Sequence, residues 1–140
     1  MLYPSNDATL KKIIAKINAE NLGQNINFIQ SDLFENINEK FDLIVSNPPY
    51  IPYFEEKNLQ KEISYEPNIA LFAEDDGLYF YKKIIAHAKE YLNCGGALAF
   101  EIGIGQMEDL CELLKNDFEK IQVKKDVSGI ERVVLARLKK

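Results

Sequence analysis

The sequence predicts an α/β fold, with residues 1–140 forming one domain in which helices cover both faces of a mostly parallel sheet. Stretches with the apolar spacing of helices alternate with short apolar stretches typical of strands, and this order is characteristic of parallel sheets. The chain closes on two strand-like segments around Ser128-Gly129, a tight-turn signal. That turn predicts an antiparallel strand at the carboxyl-terminal side of the sheet.

A helix is expected first. Residues 7–22 place apolar side chains on one helical face, with lysine and glutamate opposite. Asn6 or Asp7 is the expected N-cap, and Gly23 is the expected C-cap.

Two short strands are expected next. Residues 26–29 are apolar apart from Asn27 and are followed by a polar segment that ends at Asp32. Residues 41–45 are apolar apart from Asp42, and we expect them to form a strand buried on both faces of a parallel sheet. This strand ends before Pro48 and Pro49, because proline offers no donor to a sheet ladder.

The middle of the chain is expected to hold a long connection and a helix. Residues 50–75 predict irregular structure with a short helical piece near residues 57–63. Asp75 or Asp76 then caps a helix over residues 77–92, whose buried face is apolar.

The last third predicts the rest of the sheet. Gly95-Gly96 is expected to turn into a strand over residues 97–102, and a helix follows over residues 106–116. Residues 120–125 and 132–138 then form the closing pair of strands.

Composition limits the function classes. The net charge is −5 and the basic residues are scattered, which disfavours a nucleic-acid partner unless a further domain supplies a basic surface. No stretch approaches the roughly 18 apolar residues of a membrane span, and the start lacks a signal-peptide pattern, so we expect a cytoplasmic location. Cys94, Cys111 and His87 are too few for a four-ligand zinc site. We expect two buried free thiols and a histidine without catalytic role.

Three strand ends carry unusual residues. Ligands of such sheets bind beyond the carboxyl ends of the strands. Asp32, residues 47–50 and residues 101–103 all fall at the carboxyl ends of predicted strands. We therefore expect them to line one rim of the sheet.

The tetrapeptide Asn47-Pro48-Pro49-Tyr50 suits methyl transfer to a planar nitrogen. An amide nitrogen is a poor nucleophile because its lone pair is delocalised. The Asn47 side-chain oxygen and the Pro48 carbonyl can accept its two N–H groups and fix its plane, while the prolines stiffen the loop. Tyr50 offers a flat surface for stacking. Such a site works by alignment and charge compensation without a strong base.

A second glycine motif carries less information. Gly103 and Gly105 imitate a dinucleotide fingerprint, but the third position is Glu108. We interpret the segment as a tight strand-to-helix turn that borders the substrate cleft.

The sequence resembles the HemK/PrmC family, which methylates the glutamine of the Gly-Gly-Gln motif in peptide chain release factors. The similar segments follow the family's order along nearly the whole chain. They are residues 31–34, residues 41–52, Glu66-Pro67 with Ala70-Leu71, Asp76-Gly77-Leu78 with Tyr81, Glu101-Ile102-Gly103 with Gln106, and Asp126 with Gly129, Arg132 and Val133.

The resemblance implies a Rossmann-like class I methyltransferase sheet, S-adenosylmethionine as cofactor and a release factor as protein substrate. By position, Asn47, Pro48, Pro49 and Tyr50 would bind the target glutamine, with Asn47 also near the methyl donor. The same correspondence places Asp32 as acceptor for the adenine amino group and Leu33 as an apolar wall.

The sequence also departs from the family. The glycine-rich cofactor loop and the amino-terminal helical domain have no counterpart, so we expect one or more amino-terminal strands to be missing. The family's acidic ribose-binding residue falls at Asn6, beside Asp7, and asparagine lacks its charge. An exposed sheet edge would then favour self-association.

Two other functions stay open. A nucleic-acid adenine-N6 methyltransferase uses the same tetrapeptide, but it must extrude its base and usually carries a basic recognition region. An inactive, truncated fragment that folds only with a partner chain is the non-enzymatic alternative.

We expect cofactor affinity to be much weaker than in the family, because the glycine-rich loop has no counterpart here. Titration calorimetry of the chain with S-adenosylmethionine measures this affinity. Low-micromolar binding would contradict the expectation.

Overall fold

The computed structural model describes residues 4–52, 72–73 and 75–140. Its backbone groups into two compact units, Met1–Ile37 and Asn38–Lys140. The expected single domain therefore remains a prediction. The helices are α1 (Pro4–Asn21), α2 (Tyr79–Tyr91) and α3 (Met107–Leu114), and the strands are β1 (Phe41–Ser46), β2 (Ile51–Pro52), β3 (Phe72–Ala73), β4 (Leu92–Glu101), β5 (Phe118–Lys125) and β6 (Glu131–Leu138).

Helix α1 begins earlier than predicted. Its first residue is Pro4, so Asn6 and Asp7 lie inside the helix and the predicted N-cap is wrong. Proline suits a first helical position because its fixed φ is already helical and its missing N–H would have no partner within the helix.

The end of α1 confirms the predicted Gly23 cap. Gly23 has a φ of +65°, which glycine adopts without steric cost. Its N–H donates to the Glu20 carbonyl at 2.9 Å, and the Gln24 N–H donates to the Ala19 carbonyl at 2.9 Å. These two bonds form a Schellman motif, which satisfies the last carbonyls of the helix.

The strand predicted over residues 26–29 is absent. No described strand pairs with this segment, and Ile26 and Ile29 are 52% and 45% exposed. An apolar run becomes a strand only when a neighbouring backbone accepts and donates its hydrogen bonds. The sequence of residues 26–29 does not indicate whether such a neighbouring backbone is present.

The second unit contains a four-stranded sheet in the order β1-β4-β6-β5. Strands β1 and β4 are parallel, while β6 is antiparallel to both β4 and β5. Three strands therefore run in one direction and β6 runs against them. This confirms a mostly parallel sheet with an antiparallel carboxyl-terminal strand.

Strand β1 lies at an edge of the described sheet and is less buried than predicted. Leu43 and Val45, which share one face, are 52% and 70% exposed. The prediction of burial on both faces is wrong here, because none of the described segments covers that face. The apolar composition predicts that this segment is a strand, but it does not determine whether another segment covers that strand.

The core of the second unit lies where α2 and α3 meet the sheet. The predicted inner face of α2 is confirmed, since its Tyr81, Ile84, Ile85 and Ala88 are buried. The Tyr81 ring meets the buried Phe100 ring of β4 edge-on, with centroids 5.2 Å apart. Helices α2 and α3 contact each other. This contact does not test whether helices cover both faces of the sheet, which remains a prediction.

The start of α2 corrects the predicted cap. A short 3-10 helix, Asp75–Gly77, precedes α2, and the capping position is Leu78, without a side-chain cap bond. The Asp75 carboxylate instead pairs with Lys82 Nζ at 2.5 Å. The side chain of Asp76 lies outside the described residues, as does the helical piece predicted near residues 57–63.

Gly95 and Gly96 lie inside β4 and do not form the predicted turn before it. The β1–β4 register shifts between Phe41 and Leu43, opposite these glycines, so they form a bulge in the strand. Gly95 has a φ of +73°, which the bulge requires and glycine tolerates.

The two cysteines are free, as predicted, but neither is buried. Cys94 is exposed in the β4 bulge, because the bulge turns residues 93–95 out of the regular ladder. Cys111 is half-buried on α3, and desolvation raises the pKa of its thiol.

The predicted turn at Ser128-Gly129 is confirmed and joins β5 to β6. Asp126 fixes it: its carboxylate accepts the N–H groups of Ser128 and Ile130 at 2.8 and 3.1 Å, and Arg132 Nε donates to it at 3.2 Å. The hydrogen bond from Ile130, followed by those from Arg132 and Ser128, lowers the pKa of Asp126.

We predict that Asp126→Asn lowers the melting temperature at neutral pH by a few degrees. A carboxyl whose pKa is lower in the folded chain stabilises the fold above its unfolded pKa, about 3.9, and loses that contribution as the pH falls through the folded value. The difference from the parent should therefore shrink below about pH 4. Thermal unfolding across pH measures it.

The control is Glu119→Gln, which makes the same charge change on an exposed position of β5. An equal, pH-independent effect of both substitutions would contradict the role of the Asp126 carboxylate.

None of the helices in the described ranges is long and apolar enough to cross a membrane.

Candidate functional site

The tetrapeptide forms an irregular loop directly after β1. Strand β1 ends at Ser46, and residues 47–50, here called the proline loop, have no regular structure before β2 begins at Ile51. Asn47 is exposed, Pro48 is buried, and Pro49 and Tyr50 are half-buried. The first loop residue thus reaches solvent while the next is anchored.

The carboxyl end of β4 lies beside this loop. In the parallel ladder the last residue of β1, Ser46, pairs with Phe100, and β4 ends one residue later at Glu101. The next residue, Ile102, donates its N–H to the Arg132 carbonyl at 2.9 Å. The proline loop and residues 101–103 therefore share one rim, as predicted.

The buried side chain of Gln106 links the two strand ends. Its Nε2 donates to the Tyr50 carbonyl at 3.0 Å, and its Oε1 accepts the Gly103 N–H at 3.0 Å. Only 8% of Gln106 is exposed, and it is the one buried polar residue among those the structure describes. A single side chain thus holds the end of the loop against the end of β4.

Two glycines make room for this link. A Cβ on Gly77 would overlap the Tyr50 carbonyl oxygen and stand 2.5 Å from Gln106 Nε2. A Cβ on Gly103 would stand 2.9 Å from Gln106 Oε1 and 2.9 Å from Tyr50 Cδ2. The clash at Gly77 is with a backbone atom, and φ is positive there, so this position requires glycine. At Gly103 a Cβ would force the side chains of Gln106 and Tyr50 to shift.

Tyr81 completes the buried polar cluster. Its hydroxyl donates to the Glu101 carbonyl at 2.8 Å and lies 3.5 Å from Gln106 Oε1. Burial, together with the charges of Tyr50 and Glu101, raises the pKa of Tyr81 well above its ordinary value. Tyr81 is therefore a protonated hydrogen-bond donor throughout the neutral range.

The turn from β4 to α3 is as tight as predicted. The Gln106 N–H donates to the Gly103 carbonyl at 3.4 Å, and Gly105 has a φ of +84°. The sequence of this turn lacks the third glycine of a dinucleotide fingerprint, because position 108 is Glu108. That this turn borders a substrate cleft stays a prediction.

The other predicted site residues lie in the first unit. Asp32 and Leu33 belong to a compact turn in which the Glu35 N–H donates to the Asp32 carbonyl at 3.0 Å. Leu33 has a φ of +46°, which is uncommon for a side chain other than glycine or asparagine. Asp32 is exposed. The side chain of Asn6, within α1, is outside the described residues.

The structure thus brings together Asn47, Pro48, Pro49 and Tyr50 with the end of β4 in one unit. Asp32, Leu33 and Asn6 belong to the other unit, and their joining with Asn47 in a cofactor site stays a prediction.

The sequence analysis gave no site role to Gln106 and placed Gly77 only at the start of a predicted helix. The sequence feature that could have pointed to Gln106 is its place directly after a Gly-x-Gly at a strand end. Its partner Tyr50, however, lies 56 residues earlier in the chain. The described residues include no cluster of three or more metal-ligating side chains. His87 is exposed, with Nδ1 3.6 Å from Glu90 Oε1 on the same helix.

Comparison with solved structures identifies the fold. A methyltransferase from Pyrococcus furiosus matches with a TM-score of 0.66 and 19% identity, covering 90% of this chain and 56% of that one. At this identity the likeness establishes the fold alone, and that fold is the class I methyltransferase fold.

The sequence comparisons identify the family. The family model of the Eco57I restriction-modification methylases matches residues 3–102. Among curated proteins, the release factor glutamine methyltransferase of Fusobacterium nucleatum is 45% identical over 90% of this chain and 35% of its own length. The protein of the same name from Geobacter sulfurreducens is 44% identical over 89% of this chain and 45% of its own length.

The chain therefore belongs to the family of methylases that the Eco57I model describes. Its likeness to the two proteins named release factor glutamine methyltransferase confirms the resemblance to the HemK/PrmC family predicted from the sequence. The chain spans between about a third and a half of the length of these two curated relatives.

We predict that Gly77→Ala destabilises the chain more than Gly105→Ala does. Both glycines have nearly the same positive φ, +83° and +84°, but a Cβ on Gly105 would meet no atom within 4 Å. Gly105→Ala should cost only the backbone strain, about 1–2 kcal/mol. Gly77→Ala should add about 1–3 kcal/mol of overpacking against Tyr50 and Gln106.

Urea denaturation of both variants measures the two free energies of unfolding. Equal losses would show that the close approach of Gly77 to the loop is not made in solution.

Proposed function

We propose that this chain carries the substrate-binding part, and some of the cofactor-binding part, of an S-adenosylmethionine-dependent protein-glutamine N-methyltransferase. Its proposed substrate is a glutamine side chain of a peptide chain release factor. The observation that carries the proposal is the exposed Asn47 at the end of β1, followed by a buried proline and by a tyrosine whose carbonyl is held by Gln106. With this partner we propose a cytoplasmic location.

The chemistry requires the chain to hold an amide by both of its N–H groups. Asn47 is an exposed residue, and its side-chain oxygen is the proposed acceptor of one N–H. The Pro48 carbonyl is the proposed second acceptor. Two acceptors in the plane of the amide fix its orientation and oppose delocalisation of the nitrogen lone pair, which then points toward the incoming carbon.

The loop has the rigidity that this task needs. Pro48 and Pro49 each have a fixed φ, and Pro48 is buried. The following carbonyl, that of Tyr50, is tied to Gln106. Since a misplacement of about 1 Å can cost a hundredfold in rate, this anchoring supports a positioning role for the loop. The half-buried Tyr50 ring is the proposed stacking surface.

The turn of the first unit suits a purine. S-adenosylmethionine, when bound, supplies an electrophilic methyl group on a sulfonium. Asp32 presents an exposed carboxylate that can accept a hydrogen bond from an adenine amino group, and Leu33 offers an apolar side chain for the ring. The left-handed backbone of Leu33 is a strained conformation of the kind that accumulates at binding sites. We assign Asn6 to the ribose hydroxyls by the family resemblance alone.

No strong base is needed among the described residues near the loop. When the cofactor is bound, the nitrogen would gain the methyl carbon as the bond from that carbon to the sulfonium sulfur breaks and a neutral thioether leaves. One proton would pass from the nitrogen to solvent, so the task of the chain is to align the amide and exclude other orientations. The proposed acceptors, Asn47 and Pro48, do this without changing their own protonation.

A second candidate function is methylation of adenine N6 in a nucleic acid. The match to the Eco57I restriction-modification methylases favours it. An exocyclic amine also presents two N–H groups to the same two acceptors. The net charge of −5 disfavours it, because nucleic-acid binding needs clustered positive charge. An inactive fragment is the third candidate, and self-association through the edge of β1 remains a prediction for it.

We predict that the chain transfers a methyl group to a release factor containing a Gly-Gly-Gln motif and not to duplex DNA. Asn47→Ala should lower kcat/KM by about a hundredfold or more, because it removes one of two acceptors that fix the reacting amide. Transfer of a labelled methyl group from S-adenosylmethionine to the release factor and to duplex DNA measures the substrate preference and the effect of Asn47→Ala.

Asn116→Ala, at an exposed position between α3 and β5, is the matched control and should keep the parent activity. Transfer to DNA with none to the release factor would overturn the proposal in favour of the second candidate. Absence of transfer to either substrate by the folded chain would favour the inactive fragment.

A further inference from the structure

We infer that Gln106 is a positioning residue: its buried side-chain amide sets the conformation of the proline loop and, through it, the place of the Asn47 and Pro48 acceptors. This inference rests on the proposed function for its catalytic consequence, but its structural content does not. Gln106 does not touch the substrate amide in this scheme. It acts through the Tyr50 carbonyl.

The two hydrogen bonds allow only one orientation of the Gln106 amide. Its Oε1 faces the Gly103 N–H, and its Nε2 faces the Tyr50 carbonyl, each at 3.0 Å. Exchanging the oxygen and the nitrogen would set two donors against each other at Gly103 and two acceptors against each other at Tyr50. The side chain therefore fixes the distance between the Gly103 N–H and the Tyr50 carbonyl.

Burial makes the two Gln106 hydrogen bonds costly to break. Gln106 is only 8% exposed, so water cannot readily replace either bond. If the Tyr50 carbonyl moved away, both the carbonyl and the Gln106 N–H would lose a partner in a largely dry environment. The loop is thus held more firmly than it would be by an exposed side chain.

The surrounding segments leave little room for another arrangement. Gly77 of the 3-10 helix approaches the Tyr50 carbonyl closely, and Gly103 approaches the Tyr50 ring. The Tyr81 hydroxyl occupies the space beside Gln106 Oε1, at 3.5 Å, while donating to the Glu101 carbonyl. Tyr50 is consequently confined by two segments besides the loop itself, the 3-10 helix and the turn from β4 to α3. Tyr81 of α2 in turn confines Gln106.

The Gln106 hydrogen bonds lie just beyond the point where the ladder between β1 and β4 ends. The β1–β4 ladder pairs the strands as far as Ser46 and Phe100. Beyond that point Pro48 and Pro49 have no N–H to donate. Gln106 replaces the missing ladder bonds, so the acceptors are positioned although the strand has ended.

The test compares Gln106→Met with Gln106→Glu. Methionine has a similar volume but makes neither bond, so the loop should lose its anchor at every pH. A glutamic acid keeps the acceptor for Gly103 and, when protonated, can donate to the Tyr50 carbonyl. When ionised, it opposes that carbonyl with negative charge. Gln106→Glu should therefore hold the loop at about pH 5 and release it at about pH 8.

Two measurements are made on each full chain. Amide NMR signals and hydrogen exchange of Asn47, Tyr50 and Ile51 report the loop itself. Methyl transfer to the release factor reports the consequence, with kcat/KM expected to fall about tenfold to a hundredfold for Gln106→Met and for ionised Gln106→Glu. Gln122→Met and Gln122→Glu, at an exposed position of β5, are the matched controls and should change neither readout.

The outcomes separate this inference from the proposed function. If the parent chain transfers no methyl group but the loop signals change in Gln106→Met, the proposed function fails and the positioning role stands. Unchanged loop signals in a folded Gln106→Met overturn the positioning role, whatever the activity. If Gln106→Met does not fold, loop signals of Gln106→Glu that do not depend on pH overturn it.

Discussion

One buried side-chain amide, through one donated and one accepted hydrogen bond, holds together the two strand ends that border the proposed site. The ladder between β1 and β4 aligns the strands up to Ser46 and Phe100, and the prolines that follow cannot continue it. Gln106 then joins the Tyr50 carbonyl to the Gly103 N–H across the gap. The same prolines that free the loop from the sheet thus create the need for a side chain that fixes it.

The site depends on a contrast between exposure and anchoring. Asn47 is exposed and available to a substrate, whereas the next residue, Pro48, is buried. The absence of a side chain at Gly77 allows the backbone to approach the Tyr50 carbonyl. Because Tyr50 is held by Gln106 and approached by Gly77, the proposed acceptors would need no substrate to order them, which would lower the entropic cost of binding in a positioning mechanism.

The two units carry different parts of the proposed chemistry. The second unit contains the loop that suits a planar nitrogen, and the first contains the turn of Asp32 and Leu33 that suits a purine. In both places the backbone departs from regular structure: Leu33 has a positive φ, and Gly77 a positive φ that a side chain would strain. Departures of this kind are expected where a binding site, and not packing, has shaped the chain.

The sequence by itself determined the features that depend on neighbours along the chain. Gly23 ends α1, Gly129 turns the final hairpin, and Tyr81 faces the core, because caps, turns and helical faces are set within a few residues. The same locality made the tetrapeptide recognisable as a candidate site before any fold was known.

The tertiary structure decided what depends on distant partners. Residues 26–29 form no strand because no described segment pairs with them, and Val45 is 70% exposed because its face of β1 has no described cover. Gln106 gains its role from Tyr50, 56 residues earlier in the chain. An apolar run or a lone glutamine has the same pattern whether or not such a partner exists, so only the fold could distinguish these cases.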